Sequence, residues 1–260
     1  MILNSQTNPP AATLSFQSIE PEGSMADFVH YFWQLTNATT EPKTVTILPD
    51  GYFDLLFSVV NNQPVQGSLV GLITQPVDYL MPINATTFAI SFKLPAAEYL
   101  FNTSMADLVN KSTAIPLDFW GFAPADFADF THFVSRANQL MTTRSSPSLD
   151  PRKLALFVLL YSTNGDRSIT DISATIHWSP RQLNRYFTRQ FGLSLKAYCT
   201  LLRYRASFGQ LMDGKLYPQQ GYADQAHFSK EIKKYSRATP KQLAANKKDR
   251  FIQLSTLSKP

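Results

Sequence analysis

The sequence has little cysteine and no long hydrophobic run. Cys199 is the single cysteine among 260 residues, which excludes an intramolecular disulfide and gives no support to a structural zinc site. The longest purely apolar run lies near residues 154–161, far short of the roughly 20 residues that span a bilayer. The N-terminal stretch also lacks the basic start and sustained apolar segment of a signal peptide. We therefore expect a cytoplasmic protein that does not enter a membrane.

Motifs for catalysis and metal binding are missing as well. The two histidines of residues 1–150 lie far apart, and no His-x-His, His-Glu-x-x-His or Asp-x-Asp grouping occurs there. A Gly-x-Ser-x-Gly motif and a glycine-rich phosphate loop are also absent from this part. The sequence thus predicts no enzyme, no metal site and no cofactor.

Positive charge is scarce in the first part of the chain and abundant in the second. Residues 1–150 contain five basic and 13 acidic groups, whereas residues 151–260 contain 19 basic and six acidic groups. Such an asymmetry suggests two modules with different partners. The excess of basic groups in the second module would attract a phosphate backbone, although a merely solvated basic surface has the same composition. We predict domains at residues 1–145 and 151–250.

The acidic part has the pattern of a small β-rich domain. Short runs of Val, Ile, Leu and Phe are bounded by Pro, Gly, Asn or Asp, which is the signature of strands joined by turns. The runs cover residues 44–48, 54–60, 69–73 and 87–94. Helical spacing of apolar residues then predicts an amphipathic helix over 125–141, and 144–148 has the composition of a linker. The predicted fold class is α+β, with a small cupin-like barrel or sandwich before an all-α domain.

Two features of the acidic part leave alternatives open. Asp50 and Asp54 flank a turn and could form a carboxylate pair, but a turn-forming Asp50 and an Asp54 at a strand end are the favoured interpretation. Aromatic residues in or beside the strands either line a pocket for an apolar ligand or fill the core, and core filling is favoured. These aromatic residues are Tyr52, Phe53, Phe57, Tyr79, Phe88 and Phe92.

The basic part is predicted to be helical. Asp150-Pro151 combines an N-cap with proline at the first helical position, and this helix should end near Asn164-Gly165. A longer helix covers residues 194–212, and Asp224 caps another that ends near Tyr235. Cys199 lies among apolar residues of the longer helix, where an inert packed thiol is the favoured interpretation.

Two short helices between these elements form a predicted helix-turn-helix. Ser168 begins the first helix, and Ser179-Pro180 with Gln182 three residues after the cap begins the second. About three residues separate the two helices, as in a helix-turn-helix. On a helical wheel, the second helix has an apolar face and, opposite to it, a polar face. The polar positions are Arg181, Asn184, Arg185 and Thr188.

The chemistry of this polar face suits the recognition of bases. Arginine can bond bidentately to guanine, and asparagine can bond bidentately to adenine. A generic solvated helix face is the alternative. The absence of acidic residues between Asp171 and Asp213 favours the nucleic-acid interpretation.

These motifs together resemble the AraC/XylS family of bacterial transcription regulators, whose DNA-binding domain has two helix-turn-helix units joined by a long helix. The first unit corresponds to residues 169–191. The second unit carries Gly221-Tyr222, Asp224-Gln225, His227-Phe228 and the closing Thr239-Pro240. In the acidic part, residues 47–57 resemble one class of sensor domain that is fused to these regulators.

The resemblance implies two recognition helices in successive major grooves of double-stranded DNA, about 34 Å apart. In the first helix, the base contacts fall on Arg181, Asn184 and Arg185, with Thr188 on the same face. In the second helix, the contacts fall on Gln225, His227 and Lys230. Double-stranded DNA is the expected partner, and RNA polymerase, a small-molecule effector and a second copy of the chain are candidates.

Some positions depart from the family pattern. His177 stands where a turn glycine is expected, and Arg237 lies near the place of another glycine. Residues 212–220 are few and contain Gly214 and Pro218, so the first helix of the second unit should be abbreviated or broken. A distorted second unit would bind DNA weakly or mostly through phosphates.

We therefore predict a sequence-specific DNA-binding transcription regulator that is controlled by an N-terminal ligand-sensing or dimerisation domain. The alternative is a non-specific or degenerate nucleic-acid binder that acts through protein contacts. An enzyme such as a DNA-repair fusion is a further rival, but it would need a reactive methyl-accepting cysteine. Cys199 lacks the Pro-Cys-His context of such a residue.

Overall fold

The computed structural model describes residues 14–144, 150–219, 221–246 and 250–257. The first part of the chain forms two antiparallel sheets. The larger sheet has the strand order β1-β2-β7-β4-β5-β8, and β3 pairs with β6 in the smaller one. The strands are β1 (Leu14–Ile19), β2 (Val29–Asn37), β3 (Lys43–Ile47), β4 (Phe53–Val60), β5 (Gln63–Val70), β6 (Val77–Met81), β7 (Ala85–Phe92) and β8 (Ser112–Ile115).

The two sheets pack face to face as a small sandwich, as predicted. Leu35 and Ala85 of the larger sheet share an apolar cluster with Val45 and Met81 of the smaller one. In β4, every second side chain from Phe53 onward is buried in the main core, while the alternate side chains are half-buried. The larger sheet therefore has one face toward the smaller sheet and one toward the helices.

The strand predictions at 44–48, 54–60 and 87–94 correspond to β3, β4 and β7. The prediction at 69–73 is wrong in its bounds, because β5 begins at Gln63 and ends at Val70. The backbone of Gly71 and Leu72 leaves the sheet and bonds to Lys111 and Asn110 instead. The strands that the sequence did not predict include β6, in which four of five residues are exposed and no buried alternation is present.

The helices complete an α+β fold, which confirms the predicted class. They are α1 (Pro95–Tyr99), α2 (Phe130–Thr142), α3 (Pro151–Ser162), α4 (Ile169–Ile176), α5 (Pro180–Phe191), α6 (Leu195–Met212), α7 (Gln225–Ser236), α8 (Pro240–Ala245) and α9 (Ile252–Leu257). None of the helices in the described ranges is at once long and apolar enough to cross a membrane.

The predicted helix at 125–141 is interrupted near its start. A short 3-10 helix covers Pro124–Phe127, and α2 begins only at Phe130. Asp129 has an extended backbone, and its carboxylate accepts a 2.8 Å hydrogen bond from the His132 backbone N–H, so it is the N-cap of a new helix. The linker prediction at 144–148 lies almost entirely outside the described residues.

The aromatic residues of the sheets fill the core, as favoured. Phe53, Phe57, Phe88 and Phe92 are buried and contact further phenylalanines of the helical side. Tyr79 is the exception, since it lies on exposed β6 and is 37% exposed. Cys199 is buried in the same core, and burial raises the pKa of its thiol to about 11. This agrees with an inert packed cysteine.

The acidic and basic parts share one hydrophobic core. A single cluster joins Phe53 and Phe92 of the larger sheet to Phe157 of α3, Phe187 of α5 and Tyr198 of α6. The domain boundaries at 145 and 151 stay a prediction. Helix positions in the basic part are nevertheless set by contacts with the sheets.

A buried hydroxyl chain connects the two parts at α6. The Tyr198 hydroxyl lies 3.0 Å from the carbonyl oxygen of Gly51 and 3.1 Å from the Tyr161 hydroxyl. The Tyr161 oxygen in turn accepts a 2.9 Å bond from the Leu94 backbone N–H. Burial raises the pKa of both tyrosines, so both stay protonated and can donate.

We predict that Tyr198→Phe lowers the free energy of unfolding by about 1–3 kcal/mol, because the Gly51 carbonyl and the Tyr161 hydroxyl each lose a buried partner. Chemical denaturation of the full chain measures this change. Tyr217→Phe is the matched control, since Tyr217 is 69% exposed and its variant should differ from the parent by less than about 0.5 kcal/mol. Equal stabilities of the two variants would contradict the proposed role of the hydroxyl chain.

Candidate nucleic-acid interface

The first helix-turn-helix consists of α4 and α5, in the predicted place. Ser168 caps α4 by accepting a 3.1 Å hydrogen bond from the Asp171 backbone N–H. His177 ends α4 in the left-handed region, with φ 57° and ψ 35°. The family pattern has a glycine at this position. Glycine adopts the left-handed region without strain, whereas the same conformation costs free energy for histidine. The turn has the left-handed conformation although its residue is a histidine.

The start of α5 is fixed by a capping box. The Ser179 hydroxyl accepts a 3.2 Å bond from the Gln182 backbone N–H, and the Ser179 N–H donates a 2.8 Å bond to the Gln182 side chain. Pro180 occupies the first helical position. The sequence signals at 179–182 therefore set the angle at which α5 leaves the turn.

The two faces of α5 separate as predicted. Leu183, Phe187 and Phe191 are buried in the core. Arg181, Asn184, Arg185 and Thr188 are exposed on the opposite side. Their side chains form no hydrogen bond or ion pair with any residue that the structure describes. The polar face of α5 is therefore free to contact a partner.

The sheet domain holds α5 from the side opposite to this polar face. Glu98 of α1 accepts a 2.7 Å bond from the Tyr186 hydroxyl and forms a 2.8 Å ion pair with Lys153. The end of the helix is bonded as well, because the Gln190 side chain donates a 2.6 Å bond to the carbonyl of Thr103. The acidic part thus orients the first recognition helix without covering its polar face.

Helix α6 joins the two units. Its 18 residues correspond to a length of about 27 Å at 1.5 Å per residue. Ser194 caps it by accepting a 3.1 Å bond from the Ala197 backbone N–H. Residues Tyr198, Leu201, Leu202 and Phe208 are buried as expected from their spacing. A single well-packed helix can hold two recognition helices at a fixed separation.

The described residues between Met212 and Gln225 contain no helix. Gln220 is the one residue of this segment that the structure does not describe. The second unit therefore lacks its first helix in the described part of the segment. The expectation of a broken helix is therefore confirmed. Gln225 supports the irregular segment, since its amide donates a 2.9 Å bond to the Leu216 carbonyl. The ring of Tyr222 packs on Phe228 at 5.0 Å. Hydrogen bonds from α7, and not helical packing, therefore hold this segment.

Helix α7 itself has the predicted form. Asp224 caps it by accepting a 2.7 Å bond from the His227 backbone N–H, and Phe228, Ile232 and Tyr235 form its buried stripe. The helix ends at Arg237, which has a left-handed φ of 55° where a glycine was expected. The second unit is therefore incomplete, but its recognition helix is well formed.

Among the three residues that the resemblance assigns to base contacts in α7, only Lys230 has no hydrogen bond or ion pair within the described part of the chain. Gln225 is bonded to Leu216, and the His227 ring accepts a 3.4 Å bond from the Ala223 backbone N–H. All three side chains are exposed. Lys233 and Lys234 add positive charge to the same helix. The second face is thus more suited to phosphate than the first.

A largely buried polar cluster, which the sequence does not predict, lies between the sheets and α6. It contains Asp50, Asp54, His30 and Arg205. Arg205 approaches the His30 Nε2 to 2.6 Å and lies over the Tyr52 ring at 5.0 Å. Since the guanidinium always donates, Nε2 is the acceptor and the His30 ring is neutral. Burial, with smaller effects of Arg205 and Lys93, lowers the pKa of His30 to about 2.

The two carboxyl groups of the cluster have raised pKa values. Burial raises the pKa of Asp50 to about 6, against the opposing effect of Arg205. Burial and the Asp50 charge raise the pKa of Asp54 to about 7. Asp50 also forms the predicted turn, because its Oδ1 accepts a 3.1 Å bond from the Tyr52 backbone N–H. The turn interpretation is correct, but both carboxyl groups also border the same cavity.

Helices α4 and α5, followed by α6 and α7, have the arrangement of a helix-turn-helix domain, the class of domain with which transcription regulators bind DNA. The comparisons agree with this class. A family model described as a helix-turn-helix domain matches residues 172–246, and a model described as a domain of unknown function (DUF6597) matches residues 17–114. This confirms the resemblance that the motifs of the basic part predicted. No curated protein matches the chain.

Several solved structures of ToxT from Vibrio cholerae show a distant likeness. ToxT from strain O395 is 12% identical, with 88% of this chain and 99% of that chain covered and a TM-score of 0.44. The same protein bound to (E)-4-(8-methylnaphthalen-1-yl)but-3-enoic acid is 12% identical, with 94% and 100% covered and a TM-score of 0.44. At these values the likeness assigns neither a ligand nor a DNA target to this chain.

We predict that Asp54→Asn flattens the pH dependence of stability. The unfolded carboxyl loses its proton near pH 3.8 and the folded one near pH 7, so the stability that Asp54 contributes is present below about pH 4 and is lost as pH rises through 7. The free energy of unfolding of the variant should fall less between pH 4.5 and pH 8 than that of the parent, by on the order of 1 kcal/mol.

Denaturation of parent and variant at both pH values measures this difference. His30 acts in the opposite sense, because its lowered pKa removes stability as pH falls below about 6.5. Its contribution is present in both proteins and cancels in the comparison. Asp107→Asn, at an exposed carboxylate, should follow the parent. Parallel pH profiles for parent and Asp54→Asn would show that Asp54 ionises normally in the folded protein.

Proposed function

We propose that the protein is a cytoplasmic, sequence-specific transcription regulator of the AraC/XylS type. The observation that carries this proposal is the open polar face of α5, where Arg181, Asn184, Arg185 and Thr188 are exposed together without partners in the described residues. These side chains can donate to and accept from base edges in a major groove. The capping box at Ser179 and the contacts of Glu98 hold the helix that carries them.

The second recognition helix contributes mainly through phosphates in this proposal. Lys230 is available, whereas Gln225 and His227 bond the irregular segment that precedes the helix. A phosphate contact raises affinity on any sequence and adds little discrimination between bases. In this proposal, the contacts that distinguish one base from another come mainly from α5.

The sheet domain is the proposed control element. It packs directly on α3, α5 and α6, so a ligand or partner that alters the sheets also alters the position of the DNA-binding helices. A second copy of the chain and RNA polymerase are the proposed protein partners. Exposed apolar residues on β6, among them Val77 and Leu80, provide a surface for self-association.

A degenerate or non-specific nucleic-acid binder is the second candidate function. The missing helix of the second unit favours it, because a single recognition helix provides few base contacts. The two candidates differ in one measurable property. A regulator discriminates between DNA sequences, whereas a degenerate binder has the same affinity for all of them at a given salt concentration.

We predict that Arg185→Ala relaxes base preference. On a DNA sequence selected by the parent protein, the loss of a bidentate contact should cost about 1–3 kcal/mol of binding free energy, while the affinity for random DNA changes little. Fluorescence anisotropy at fixed salt measures both affinities. Lys111→Ala removes an equally exposed cation from the sheet domain and should change neither value. Retained sequence preference in Arg185→Ala would refute a base contact by this residue.

Lys230→Ala is expected to behave differently. Loss of a phosphate contact should weaken selected and random DNA by the same factor and reduce the slope of log affinity against log salt by about 1. Titrations at three salt concentrations give the slope for the parent and for both variants. If Lys230→Ala instead changed the preferred sequence, α7 would read bases and the account of the second unit would be wrong.

A further inference from the structure

Two adjoining cavities lie between the sheets and the DNA-binding helices. The inner cavity, of about 100 Å³, lies between the larger and smaller sheets and is partly open, and the outer cavity, of about 430 Å³, opens beside α6. Both are bordered by Phe16, Tyr31, Asp50 and Gln253. The shared walls place the two cavities side by side, and the larger volume is in the range of ordinary small-molecule sites.

The inner cavity combines apolar walls with two carboxyl groups. Trp33 and Leu56 come from the larger sheet, and Ile47 and Val77 come from the smaller sheet. Asp50 and Asp54 border the same space. An apolar cavity with a few charged groups in one place is the usual form of a site that orients a ligand by its polar end.

Asp50 has an oxygen without a partner. Its Oδ1 accepts the Tyr52 backbone N–H, while Oδ2 has no hydrogen bond or ion pair with any described residue. The residue is only 7% exposed and borders both cavities. The turn at Tyr52 uses only Oδ1. The second oxygen is therefore available to a donor in the cavity.

The neighbouring cation, Arg205, does not donate to the second oxygen of Asp50. Arg205 approaches His30 and the Tyr52 ring, and no ion pair joins it to Asp50 or Asp54 in the described chain. The outer cavity adds the carboxylate of Glu20. Asp54 differs in that its Oδ1 accepts hydrogen bonds from two side chains of the larger sheet, those of Ser91 and Trp33, while its Oδ2 has no hydrogen bond or ion pair with a described residue. Three carboxyl groups, those of Glu20, Asp50 and Asp54, and one cation, Arg205, border the cavities, and Asp50 is the carboxyl group that borders both.

We propose that these cavities bind an organic cation, an amine or quaternary ammonium group carried on an apolar body, with the cation against Asp50 and the apolar body between the sheets. The Tyr31 and Trp33 rings along the wall suit such a ligand, because aromatic faces attract cations. The proposal rests on the proposed function in one respect only, namely that this ligand is the effector.

The walls provide the link to DNA binding. Ile252 and Gln253 of α9 border the inner cavity, and Arg205 of α6 borders the outer one. The Gln253 side chain exchanges two 2.9 Å bonds with the backbone of Leu48 at the end of β3. The Thr46 N–H donates a 2.7 Å bond to the Arg250 carbonyl. A ligand therefore touches both the sheets and the helices that flank α7.

Binding of matched probes to the full chain tests the proposal without DNA. The probes are 2-phenylethylamine and benzyltrimethylammonium as cations, 2-phenylethanol as the neutral counterpart and 3-phenylpropionate as the anion. Isothermal titration calorimetry gives the affinities, and quenching of Trp33 emission, absent in Trp33→Phe, locates the site. At least one cation should bind 10-fold or more tightly than the neutral and anionic probes.

Asp50→Asn keeps the turn acceptor but removes the charge, so it should weaken cation binding at least 10-fold. Asp107→Asn should leave it unchanged. A preference for the anion, equal affinities for all probes, no binding of either cation, or undiminished binding to Asp50→Asn would each overturn the proposal. Selection of DNA by the same preparation is measured separately. Failure of cation binding with retained DNA selection would refute this site alone, and the reverse would refute the proposed function.

Discussion

The packing of α6 against the sheets is the interaction on which the rest of the structure depends. Tyr198 of this helix reaches the Gly51 carbonyl, and its ring lies in the cluster that contains the phenylalanines of the larger sheet. The same helix continues into the second apolar cluster, where Tyr204 and Phe208 pack on α7. One helix thus belongs to the core of the acidic part and to the core of the second unit. Any movement of α6 relative to the sheets is transmitted to both recognition helices.

This arrangement explains how an acidic domain can lie beside the exposed polar face of α5 without covering it. The acidic part contacts α5 through Glu98, Ser104 and Thr103, all on the side away from the exposed polar face. The negative charge of Glu98 is neutralised by Lys153. The exposed face of α5 keeps its positive charge, and this charge attracts a phosphate backbone.

Local signals in the sequence are sufficient to predict the first helix-turn-helix. Ser168, Ser179-Pro180 and Gln182 act within one turn of helix, and the structure shows their expected hydrogen bonds. The spacing of Leu183 and Phe187 likewise fixes which face is buried. The broken second unit could also be predicted, since Gly214 and Pro218 oppose a helix in a short segment.

The shared core and the buried polar cluster could not be predicted in this way. Arg205 and His30 are separated by 175 positions, and no spacing rule connects residues so far apart. The sequence does not predict β6, because its side chains are mostly exposed and show no alternation of buried and exposed positions. The helix predicted at 125–141 is too long because Phe127 fits the apolar spacing of α2 but lies in a separate 3-10 helix, and the extended backbone of Asp129 begins a new helix. In each case tertiary contacts, which sequence periodicity does not contain, decided the result.

The central claim is that the open face of α5 reads bases. In vitro selection of bound DNA from a random pool, with the full chain at about physiological salt, tests this claim most directly. The account predicts enrichment of one short motif that fits a single recognition helix, with weaker or no preference one helical turn away. Failure to enrich any sequence above background would contradict sequence-specific recognition, and two equally strong half-motifs would contradict the account of the incomplete second unit.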